Sequence, residues 1–157
     1  MITRVVEGWV EEPLKRFVDD ARVVLALMLH PSGQVMAQYG FARAMDVMSA
    51  CALAAAIHAS ASELGRQLDG KPFSGIHQAG KDRQLFLAEA ETAQGSYIFV
   101  TVFDAESSLG LVRLYFEELR AGLAAAAPAL QESSEPILAE HFESELNRNL
   151  AALFGRA

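Results

Sequence analysis

Four histidines, one cysteine and a pair of serines ahead of a helix are the residues of this 157-residue chain whose types invite a chemical reading. Cys51 and His58 lie two turns apart on one helical stretch, so they share a face. That spacing keeps them out of direct contact, whereas a nucleophile and its base need hydrogen-bond reach. A lone small thiol on such a helix is by default a core residue. His30, His58, His77 and His141 fall on a turn, a helix, a strand and a tail helix, and no two have the i, i+4 spacing of a helical metal site. Asp104 and Glu106 flank a turn and could exchange protons, yet carboxylates there also favour the start of the next helix through its dipole. "SSLG" (107–110) lacks the lysine and the spacing of a nucleotide phosphate loop, and "GKDRQ" (80–84) is a polar hairpin tip. The reading is a chain with no catalytic constellation, no cofactor and no metal site of its own.

The stretch that carries the serines, "FDAESSLGLVRLYFEEL" (103–119), raises a question of position. Strand-like alternation ends at Asp104, and helical spacing begins at Leu109. Gly110 stands in the first turn of that helix, where glycine lowers helix stability. Two readings explain it: the helix N-terminus holds an anion, or the backbone passes close to something.

These residues must be positioned by the elements around them. Residues 3–19 read as a short helix, or as two half-helices meeting near Pro13, which cannot donate to the helical ladder. "RVVLALML" (22–29) is a continuous apolar strand, as expected where both faces are buried. "HPSG" (30–33) is a turn, and "QVMAQYG" (34–40) closes a hairpin. A long helix runs from Met45 to about Leu68 and stops at "GKP" (70–72). "FSGIHQAG" (73–80), "RQLFLAEAE" (83–91) and "SYIFVTVFD" (96–104) form an antiparallel meander. A helix over 109–125 shows one apolar face, Leu109, Val112, Phe116, Leu119 and Leu123. "PALQESSEP" (128–136) is linker-like. A terminal helix (137–154) carries a stripe of Leu138, Phe142, Leu146, Leu150 and Leu153. The expected class is α+β: a single five-stranded antiparallel sheet with helices packed on it. The expected organisation is a domain over 1–126, a linker over 127–136 and a C-terminal amphipathic helix over 137–157.

Charge and composition narrow the partners. Net charge is −7 with no basic stripe, which argues against nucleic acid and anionic membranes; the excess acid fits a soluble protein, or one that meets a basic patch on another protein. One cysteine excludes an internal disulfide. The start, "MITRVVEGWVEEPLKRF", lacks the pattern of a signal peptide, and the run "VVLALML" is far too short to cross a bilayer. The expected location is cytoplasmic.

The long helix is unusual in its side chains. "SACALAAAIHASAS" (49–62) is mostly Ala, Ser and Cys and has no charged residue before Glu63. Leu53, Ile57, Leu64 and Leu68 form a stripe expected to face the sheet. Ala52, Ala55, Ala56 and Ala59 are left on a flat outer face. Either that face meets water, or it lets a second copy of the helix approach closely across a two-fold axis. The absence of Lys and Glu favours the second copy.

The strand "YIFVTVFD" running into "ESSLGLVRL", with the "HPSGQVMAQYG" hairpin and the small-residue helix ending in "LGRQL", resembles the Roadblock (dynein light chain 7) family. Within it the chain is most similar to the bacterial MglB-type proteins, over about residues 4–124. The resemblance implies a Roadblock-like, profilin/longin-like sandwich and a homodimer that pairs the long helices and joins two sheets. It also implies regulation of a Ras-like small GTPase of the MglA type, in bacterial polarity or motility, by rearranging the GTPase's own residues. It further implies that Ser108 caps its helix, that Gly110 gives the first turn room beside the sheet, and that the C-terminal helix can reach the GTPase. The helix positions beside the two-fold seam, Met45, Ser49, Ser62 and Arg66, are the candidate GTPase contacts. A non-catalytic scaffold and a small-ligand sensor are the other function classes open to this fold.

Overall fold

The computed structural model describes residues 4–5, 7–41, 46–129 and 136–155, with the side chains of 4–5 and 136–143 outside that description. In chain order the elements are β1 (Arg4–Val5), α1 (Gly8–Ala21), β2 (Leu25–Leu29), β3 (Val35–Gly40), α2 (Val47–Asp69), β4 (Ile76–Ala79), β5 (Gln84–Thr92), β6 (Gly95–Phe103), α3 (Leu109–Ala126) and α4 (Pro136–Phe154). The class is α+β. The five expected strands form one antiparallel sheet, and the two-residue β1 adds a sixth at its edge, in the order β1-β3-β2-β6-β5-β4. Arg4 pairs with Gln38 and Val5 with Ala37. A strand that short has no period to read, so the sequence places these residues in a helix instead.

Alternation along the strands divides the sheet into two faces. Ala26, Met28, Phe86, Ala88, Phe99 and Phe103 meet Val10, Leu14 and Phe17 of α1 and Val112, Phe116 and Leu123 of α3. Leu25, Leu27, Leu29, Leu87, Ile98 and Val100 point the other way and meet α2. The protein is therefore three layers: α1 with α3, the sheet, and α2. Phe116 sits at the centre of the first core, edge-on to Phe17, Phe86 and Phe99, an arrangement that adds to the burial of the rings.

α1 is one helix running through Pro13 rather than two halves. Proline there forfeits the bond its missing N–H would give to the Trp9 carbonyl and crowds that carbonyl, and burial of Val10, Leu14, Phe17 and Val18 on one side holds the helix together. The β6–α3 junction is tied to α1 by the Ser107 hydroxyl, which donates to the Ala21 carbonyl.

α2 reverses one expectation. Its buried residues are Cys51, Ala54, Ala55, Ser62 and Gly65, the first three packed on the sheet, while Leu53, Ile57, Leu64 and Leu68 face outward, 64%, 44%, 51% and 68% exposed. The sheet beneath already supplies large side chains, four of them leucines. A helix bearing small residues can settle onto that layer at close range, where a second row of leucines would overpack it. Gly65 shows how close the neighbouring chain comes, since a Cβ there would stand 2.6 Å from the Phe73 nitrogen.

Candidate functional site

The outer face of α2 is an apolar surface that calls for a partner. Asp46 begins the helix, its carboxylate accepting from the Met48 and Ser49 amides and from the Ser49 hydroxyl at 2.8 Å. These hydrogen bonds hold its carboxyl below the usual aspartate range. Gly70, in the left-handed region at φ 74°, ends it by donating to the Arg66 carbonyl. Between these caps Leu53, Ile57 and Leu64 wall a shallow trough of about 420 Å³ floored by Ala56, Ser60 and Ala61. Scattered exposed leucines are ordinary, but a contiguous apolar strip along one helix marks an interaction surface. By length and composition α2 could span a bilayer, yet its other side is seated on the sheet, which leaves it a helix of the domain.

Polar groups border the strip. Arg66 pairs with Glu63 at 3.5 Å, and Gln67 donates to the same carboxylate at 3.2 Å. On the sheet side His58 Nε2 lies 2.8 Å from Glu89 Oε2. The strand beyond, β4, pairs with β5 on one side only and forms the sheet's edge. His77 of that strand bonds Gln84 at 2.8 Å and stacks on Phe103.

The structure separates the residues singled out on sequence grounds. Ala52, Ala56 and Ala59 lie on the exposed side of α2, as do Ser49 and Arg66. Ala55 and Ser62 are each only 9% exposed, and Ala55 packs against the leucines of the sheet. Neither can serve an outer surface, because the close seating of α2 places them inside it. Met45 lies outside the described residues. Leu53, Ile57, Leu64 and Leu68 are the surface residues missed. Their three- and four-residue spacing was visible, but not which side of the helix would be buried.

At the opening of α3, Ser108 stands in the N-cap position and accepts from the Leu111 amide at 3.2 Å. Asp104 closes the preceding turn by accepting from the Glu106 amide at 3.0 Å. A Cβ on Gly110 would meet only the Ser108 hydroxyl, at 3.9 Å, so the room expected beside the sheet is not what the glycine provides. Burial pushes the Cys51 thiol up to about 11, leaving negligible thiolate at neutral pH, and the His58 ring is engaged with Glu89. The two do not form a nucleophile–base pair. Among the described residues no three of His, Cys, Asp and Glu converge where they could share a metal ion. On α4, Leu146, Leu150 and Leu153 are exposed, joined by Phe154; the side chains of Leu138 and Phe142 lie outside the described residues.

No protein-family model matches the chain, and no curated protein matches it in sequence. Solved structures do. An MglB with a tetrameric arrangement is 23% identical with a TM-score of 0.69, the match covering 78% of this chain and 93% of that one. The gliding protein MglB of Thermus thermophilus is 24% identical at 0.68, over 78% and 94% of the two chains. A Roadblock/LC7 domain of Streptomyces avermitilis is 16% identical at 0.56, over 66% and 83%. The fold is thus the Roadblock fold in the form MglB structures take.

Proposed function

We propose that the chain is a homodimeric regulator of a Ras-like small GTPase of the MglA type, acting in bacterial polarity or motility and contributing no catalytic step of its own. The observation that carries this reading is the outward apolar strip of α2. Under a two-fold axis the Leu53–Ile57–Leu64 wall of one copy fits the Ala56–Ser60–Ala61 floor of the other, a self-complementary contact of large into small. Ala52 and Ala59 lie at its margin. The open edge of β4 can extend the sheet into the second copy. The likeness in fold to MglB structures, one of them in a tetrameric arrangement and one a gliding protein, supports the same reading.

On the dimer, Ser49 and Arg66 near the two ends of each α2 flank the seam and offer reversible polar contacts to the GTPase. The acidic net charge suits a partner with a basic patch. The test is GTP turnover by the Ras-like protein of the same organism, with and without the chain. Acceleration of hydrolysis or of nucleotide exchange supports the proposal. Binding without a change in either rate makes the chain a scaffold, and no binding removes the GTPase from the account.

A further inference from the structure

On the layer opposite α2, helices α1 and α3 part over a cleft of about 220 Å³ lined by Pro13, Phe17, Tyr115, Leu119 and Gly122, with Glu12, Arg16, Asp20 and Glu118 around its mouth. Gly122 adds no side chain to this space; a Cβ there would touch only the Pro13 ring, at 3.8 Å. Its size suits one leucine or phenylalanine side chain. Elsewhere in the chain an apolar stripe has nothing to cover it among the described residues. Leu146, Leu150, Leu153 and Phe154 of α4 are exposed, and a lone helix of this length is marginal in water unless one face is packed.

We propose that the C-terminal half of α4 folds back into the α1–α3 cleft of its own chain. Three features select this occupant. Reach is the first: Gly122 lies one turn before the end of α3 at Ala126. Gln94 pins the chain just beyond by donating to the Pro128 carbonyl at 2.7 Å. The segment from there to Pro136 extends to roughly 28 Å at most, ample to turn α4 back along α3. Length is the second. Leu146 to Phe154 covers about 12 Å of helix, and Tyr115 to Gly122 about 10 Å. Charge is the third: the stretch from Leu146 to Phe154 contains Arg148 and no carboxylate side chain, while the cleft mouth has three carboxylates to one arginine. The α1–α3 layer lies across the sheet from α2, so this latch and the proposed dimer seam do not compete.

The test uses the full-length chain carrying Glu118→Cys with Leu150→Cys under mild oxidation. Cys51 is buried and stays silent. The expected result is an intrachain disulfide forming at least tenfold faster than in a control pair, Asp82→Cys with Leu150→Cys, at a rate independent of protein concentration. Adding Gly122→Phe, which fills the cleft, should bring the rate down to the control. Should that variant not fold, Leu146→Asp with Phe154→Asp, confined to α4, should give the same loss. A rate equal to the control overturns the proposal, and so does a disulfide joining two chains.

Discussion

Glu89 is held from both layers at once: His58 of α2 meets its carboxylate at 2.8 Å, and Arg120 of α3 donates to its backbone carbonyl at 2.8 Å. This residue of β5 is therefore a polar fastening between the sheet and both helical layers. The His58 side chain is 16% exposed and that of Glu89 40%, so solvent weakens the pair without removing it. His58→Ala and Glu89→Gln should each cost about 1 kcal/mol in denaturant unfolding, with a coupling of about 0.5 kcal/mol in the double-mutant cycle. A coupling indistinguishable from zero would make the contact incidental.

Gly110 is a place where the fold can be stabilised. It sits in α3 with open space around it, and Gly110→Ala should add about 0.5–1 kcal/mol through helix propensity. Thermal unfolding should show a Tm about 1–4 °C higher. A lower Tm would mean that the first turn needs glycine for a reason of conformation.

Thr101 is fully buried on β6, and among the described residues its hydroxyl has no hydrogen-bond partner. Thr101→Val keeps the shape and removes a stranded polar group, so unfolding free energy should stay level or rise by about 1 kcal/mol. A loss above about 1 kcal/mol would reveal a partner for that hydroxyl.

Cys51 gives a pH dependence with a definite sign. Its folded value of about 11 lies above the ordinary 9.0, so the folded state keeps the proton that the unfolded state releases. The resulting stability is whole below about pH 9 and falls as pH rises toward 11. Cys51→Ala should flatten that alkaline decline in a pH series of denaturation midpoints. An unchanged decline would place its cause in other groups.

How far the sequence could be read depended on what each element packs against. The meander, the β6–α3 junction and the cap at Ser108 were legible because strand alternation, helical period and a serine before an apolar run are local signals. The face of α2 was not. Its period is the same whichever side is buried, and the choice belongs to the leucines of β2 and β5, which are distant in sequence. Gly110 invited a reason in the neighbourhood, and the neighbourhood is empty. Of the proposed surface, Ala52, Ala56 and Ala59 stand out in the sequence through the absence of charge around them. The larger residues beside them read as inward-facing because big apolar side chains are usually buried.

The functional proposal stands on the outer face of α2, and light scattering at tens of micromolar chain tests it most directly. The wild-type protein should give twice the chain mass of 17.0 kDa, or a multiple of that dimer. Ile57→Glu, a charge placed in the apolar strip, should return it to a folded monomer with an unchanged circular dichroism spectrum. A wild-type protein that scatters as a monomer, or an Ile57→Glu variant that stays dimeric, would contradict the account.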